Sequence, residues 1–100
     1  MPPPIHPGEI LAEELEVRGV TGTSAAQALR VPQSRISNIL RGGAGITADT
    51  ALRLGRWLGT GPEIWLNMQK DYELRLTEAT AGGEIRETVK PFITSHTNVG

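Results

Sequence analysis

The chain has no cysteine. That excludes a disulfide framework and any thiolate metal site, and a cytoplasmic protein is the simplest expectation. It also lacks an apolar run long enough for a transmembrane helix. Met1 to Pro4 opens on prolines rather than on the basic segment of a secretory signal. Only two histidines occur, His6 and His96, near opposite ends, and neither has a metal-ligand companion at the i+4 spacing. No serine sits in a G-x-S-x-G elbow, and the carboxylates form no evident acid/base pair. Neither a cofactor nor catalysis is expected. Net charge is scarce too, at −1 over 100 residues, which looks wrong for a nucleic-acid binder until its distribution is read. Before Arg18 every charged residue is acidic: Glu9, Glu13, Glu14 and Glu16. From Arg30 to Arg56 the charges are Arg30, Arg35, Arg41, Arg53 and Arg56 against Asp49 alone. A basic middle between an acidic head and a mixed tail suits one anionic partner and leaves surface for a second, different one.

What is present is a stretch around which the rest is arranged, Thr23 to Arg41, TSAAQALRVPQSRISNILR. With a helical period it divides in two. Ala25, Ala26 and Leu29 form one short apolar stripe, and Ile36, Ile39 and Leu40 form another. Between them Pro32 cannot continue the first helix but suits the first turn of the second. Two short helices joined by a tight turn with an apolar Val31 make a helix-turn-helix pattern. Small residues at Ala25 and Ala26 let the second helix cross closely. Its outer face carries Gln33, Ser34, Arg35, Ser37, Asn38 and Arg41, all able to hydrogen-bond bases or phosphates, with no carboxylate among them. The bland alternative is a solvated helical hairpin, but a plain solvated face would mix in Glu or Asp. Gln33, Ser34, Arg35, Ser37 and Asn38 are the candidate base readers. Thr23, Ser24, Arg41 and Thr47 are the candidate phosphate ligands.

One domain is expected at this length, residues 1–79, followed by a tail, residues 80–100. The first helix should run from Pro7 to Arg18 and stop at Gly19, with Ile10, Leu11 and Leu15 facing inward. Glu9, Glu13 and Glu16 share another face, which either simply solvates the helix or docks a basic protein. Thr21, Thr23 or Ser24 can cap the next helix. Gly42, Gly43 and Gly45 end the recognition helix; with no preceding strand and no following Lys-Ser/Thr, they are not a nucleotide loop. Thr47 caps a fourth helix, Ala48 to Leu58, with Ala51, Leu52, Leu54, Gly55 and Leu58 as its buried side. Pro62 opens a fifth that reaches about Glu78, with Ile64, Trp65, Met68 and Tyr72 packing inward. Gly82-Gly83 reads as a hinge, and a short strand over Ile85 to Val89 is an option in a tail ordered by a partner. The fold class is all-α, five helices and a tail. A single helix-turn-helix offers few base contacts, so a homodimer on a palindrome is expected. Trp65, Met68, Tyr72 and Leu76 are its candidate seam.

Four segments together resemble a known family: HPGEIL from His6, ALRVPQSRISNILRG from Ala28, GITADTALRLGRWLGT from Gly45 and PEIWLNMQKDYEL from Pro62. In this order they look like the HigA antitoxins, within the phage-repressor-like helix-turn-helix proteins, over about Ile5 to Leu76. The resemblance implies a five-helix DNA-binding domain, a homodimer on palindromic double-stranded operator DNA, autorepression, and neutralisation of a HigB-type toxin, a RelE-like ribonuclease. Two departures stand out. Arg30 occupies a turn position where the family usually has Gly, and Gly22 stands where its motif often opens with Gln. Given such a basic toxin, Glu9, Glu13 and Glu16, or the tail, are the expected contact. The competing readings are a stand-alone phage-like repressor without a toxin, and a protein-interaction adaptor that no longer binds DNA. The outer face of Gln33 to Arg41 argues against the adaptor.

Overall fold

In the computed structural model, which describes residues 3–93, five helices follow one another: α1 (Pro7–Arg18), α2 (Gly22–Leu29), α3 (Gln33–Leu40), α4 (Ala48–Leu58) and α5 (Glu63–Thr88). Each start has a local cause. His6 caps α1: its Nδ1 accepts from the Gly8 N–H at 2.8 Å, and the Glu9 carboxylate reaches back to the His6 N–H at 3.3 Å. This is a capping box with an imidazole where a hydroxyl usually sits. Thr21 caps α2 through the Ser24 N–H, and Thr47 caps α4 through the Thr50 N–H. Pro32 and Pro62 occupy the N-cap positions of α3 and α5 without a side-chain cap, their missing N–H costing nothing there.

The core joins all five helices. Leu11 and Leu15 of α1, Ala25, Ala26 and Leu29 of α2, Ile36 and Ile39 of α3, Ala51 and Leu54 of α4, and Trp65 of α5 are buried, with Ile46 from the α3–α4 loop. The close crossing predicted at Ala25 and Ala26 has a counterpart at α1. A side chain on Gly8 would place its Cβ 1.9 Å from the Ile39 carbonyl oxygen, so α1 can lie on α3 only because that residue has none. The α4–α5 corner is equally tight, with the Gly55 Cα against the Gly61 carbonyl. A buried polar residue, Gln69, ties the loop to α5. Its Oε1 accepts from the Ile46 N–H at 2.7 Å, and its Nε2 donates to Glu73 at 2.8 Å.

Some inward assignments change. Leu52 is 62% exposed and Ile64 49% exposed. The inner side of α4 is Ala51, Leu54 and Gly55 with the buried Thr50, and the inner side of α5 is Trp65 and Gln69. Leu52 and Ile64 are each one residue, about 100°, off those stripes. Trp65, expected both to pack inward and to join a dimer seam, fills the protomer core at 2% exposure and so leaves the seam, its indole N–H donating to Thr60 Oγ1 at 3.1 Å. The last helix does not stop at Glu78. It passes through Gly82-Gly83 to Thr88, so neither a hinge nor a strand lies there among the described residues. From Glu73 to Thr80 every residue is exposed, so this half of α5 overhangs the bundle and stretches the molecule to 58 × 23 × 22 Å. No helix among the described residues is long and apolar enough to cross a membrane. The sequence readings of Pro2 and His96 lie outside the described residues.

Candidate nucleic-acid interface

The α2–turn–α3 unit is built as the residue pattern requires. Arg30 takes the left-handed conformation, φ 60° and ψ 44°, and its N–H caps the end of α2. Val31 is half-buried beneath the turn, its N–H donating to the Ala26 carbonyl at 3.1 Å. Burial of Ile36 and Ile39 against α1 and α2 turns the other side of α3 outward. Gln33 and Ser34 are exposed in its first turn, and neither side chain has a partner among the described residues. Ser37 and Asn38 follow one turn later, half-buried. Thr23 and Ser24 are exposed at the start of α2, and Thr47 is exposed at the start of α4, its hydroxyl engaged as the cap.

Two of the candidate DNA ligands are held by neighbours. Arg41 donates through Nη2 to Asn38 Oδ1, just before the Gly42-Gly43 turn. While that bond lasts, the Asn38 amide keeps its donors but not its acceptor for a base. Arg35 donates through Nη1 to Asp49 Oδ2 at 2.5 Å, from α3 to the first turn of α4. The same carboxylate oxygen receives Arg53 Nε at 2.9 Å, and Arg53 Nη1 reaches the Leu29 carbonyl at 2.9 Å. A chain of polar contacts therefore runs from the outer face of α3 through α4 to the last turn of α2. Hydrogen bonds from Arg53 and then Arg35 hold the Asp49 carboxyl below its ordinary range. The absence of acid from Gln33 to Arg41 is a fact of sequence only; in space Asp49 stands at the edge of that face.

Asp49, Arg53 and His6 were not legible as site-forming residues. In the sequence Asp49 and Arg53 entered only through the charge distribution. A signal did exist for the pair: an i, i+4 Asp/Arg spacing that puts both on one side of α4. His6 was legible only as a histidine without companions. The Glu at the third position of α1 was the available sign of its capping box. The three other acidic candidates divide. Glu9, Glu13 and Glu16 are all exposed along α1, but Glu9 also serves the cap. Val17, between Glu13 and the helix end, is 82% exposed. Of the remaining seam candidates, Met68 is half-buried, Tyr72 packs edge-on against the His6 ring at 4.8 Å, and Leu76 is 41% exposed on the overhang.

No family model matches the sequence. Individual relatives do. Virulence-associated protein I of Dichelobacter nodosus is 53% identical over 77 residues, which is 76% of this chain and 71% of that protein. Antitoxin HigA-1 of Vibrio cholerae is 38% identical over 93 residues, 92% of this chain and 87% of that one. Among solved structures, antitoxin GraA in complex with its operator superposes with a TM-score of 0.86 at 44% identity, covering 94% of this chain and 95% of its own. Identity at this level across nearly the whole of both sequences, on a shared five-helix frame, means that the chain belongs to the HigA family of antitoxins.

Proposed function

We propose that this chain is the antitoxin of a toxin–antitoxin pair: a homodimeric, operator-binding autorepressor that also binds and neutralises a HigB-type ribonuclease. It acts by binding rather than by catalysis, in the cytoplasm. The observation that carries the reading is the outward face of α3. Gln33, Ser34, Ser37, Asn38 and Arg41 offer amides, hydroxyls and a guanidinium on a frame that superposes on an antitoxin solved with its operator. Thr23 and Ser24, at the start of α2, and Arg41 beside Gly42 flank that face at the level where phosphates pass. Thr47 joins them through its backbone end of α4 more than through its hydroxyl, which is occupied by the cap.

Dimerisation places two recognition helices about one helical turn, roughly 34 Å, apart. Its seam lies along α5, where Met68, Tyr72 and Leu76 remain available and Trp65 does not. The toxin takes a different surface, because a regulator holding DNA and toxin together cannot use one face for both. The acidic side of α1, with Glu13 and Glu16 beside exposed Val17, suits a basic ribonuclease. The division into residues 1–79 and a partner-engaging segment 80–100 follows function rather than a break in the helix.

One experiment tests the core of this. The chain is co-expressed with the product of the neighbouring gene, and growth and co-purification are followed. A neighbour toxic alone and harmless in a stable complex with this chain is the expected result. A harmless neighbour that fails to co-purify, with operator binding retained, points instead to a stand-alone repressor.

A further inference from the structure

The carboxylate of Asp49 has no obvious place beside a DNA-facing helix, where its charge opposes phosphate. It is nevertheless built in. Arg53 approaches the same Oδ2 as Arg35 and is itself tied to the Leu29 carbonyl, so the acceptor that meets Arg35 is fixed to both α4 and α2. The contact uses only Nη1 of Arg35. The opposite edge of that planar fork, Nε and Nη2, stays open for a bidentate pair with guanine O6 and N7. An unrestrained arginine at this half-buried position would sweep toward the nearest phosphate instead, since phosphate attraction is strong and carries no sequence information.

We propose that Asp49 is a positioning residue for specificity: by holding one edge of Arg35 and repelling phosphate, it keeps that arginine on a base edge rather than on the DNA backbone. This deepens the operator-binding reading above and rests on it. The carboxyl's depressed titration agrees, since the charged form that does the holding persists throughout the neutral range.

The test uses the full chain. A duplex of roughly 20 base pairs is selected by the wild-type chain from a random pool, and a scrambled duplex of equal composition is the reference. Both are titrated at several salt concentrations. Asp49→Asn is expected to bind the scrambled duplex about three- to tenfold more tightly, to lose about five- to tenfold in discrimination, and to steepen the salt dependence by about one unit. Asp49→Glu, which keeps the carboxylate, should retain most of the discrimination. In an Arg35→Ala background, Asp49→Asn should change discrimination no further. If Asp49→Asn weakens both duplexes equally with ratio and slope unchanged, or acts fully in the absence of Arg35, the positioning role is overturned. If the wild-type chain selects no duplex at all, the operator reading itself falls, and this one with it.

Discussion

Arg30 holds the left-handed corner between α2 and α3 at φ 60°, the one non-glycine residue with positive φ among those described. A side chain there costs about 1–2 kcal/mol relative to an unstrained residue, partly offset by the larger unfolded-state entropy of glycine. Arg30→Gly is therefore expected to raise stability by about 0.5–1 kcal/mol, read as a higher urea midpoint at unchanged slope. This strain was legible, because the family pattern has glycine at that position. The Asp49 clamp makes a second prediction, about pH. Its folded carboxyl is held below the usual range, chiefly by Arg53 and next by Arg35. A depressed acid stabilises the fold fully above its ordinary pKa and loses that contribution as pH falls through the lowered value. The stability difference between wild type and Asp49→Asn should thus be constant from about pH 5 upward and shrink only in stronger acid. A carboxyl carbon titration by NMR should place Asp49 below the ordinary aspartate range. If Asp49 titrates in the ordinary aspartate range, the clamp is absent in solution.

At the level of whole elements most boundaries were legible, including the ends of α1 at Arg18 and α4 at Leu58, and the end of α5 was the exception. A side-chain N-cap acts through one or two local hydrogen bonds and a proline through its fixed φ and missing N–H, so Thr47 and Pro32 announce α4 and α3, while Thr21 caps α2 as one of three residues able to do so. The last helix runs on past Glu78 because a glycine pair costs only about 1 kcal/mol per residue against alanine, which an already anchored helix can absorb. The missing side chain at Gly82 also leaves room for Glu78 to lie across it and pair with Arg86. A Cβ on Gly83, by contrast, meets nothing within 4 Å. Gly83→Ala should then strengthen the overhang by up to about 1 kcal/mol, seen as slower amide hydrogen exchange from Ala79 to Thr88. Unchanged exchange there would mean that the overhang is already locked by a partner or does not persist as a helix.

For the molecule as a whole, the decisive behaviour is on DNA. Gln33, with a free amide in the first turn of α3, should lose about 1–3 kcal/mol on the preferred operator when changed to alanine and relax the preference at one base pair. Arg41→Ala should reduce the salt slope by about one unit. Because Arg41 also occupies the Asn38 acceptor, its loss should shift discrimination as well, so the effect is not uniform across sequences. Competition titrations of both variants on operator and scrambled duplexes measure this. Full discrimination by Gln33→Ala would remove that residue from the base-reading set.

Helical class, the two-helix reading unit and its outward polar face were decided by the chain alone. Periodic apolar residues, proline and the capping hydroxyls act over three or four positions, and such short-range chemistry is written in order along the sequence. What only the tertiary structure decided are the contacts between distant residues: Arg35 with Asp49, Arg53 with the Leu29 carbonyl, Gln69 with Ile46, and Gly8 under Ile39. Each depends on how two helices cross, and a crossing is set by the packing of the whole core. That is why a carboxylate came to stand beside a helix whose own sequence has none.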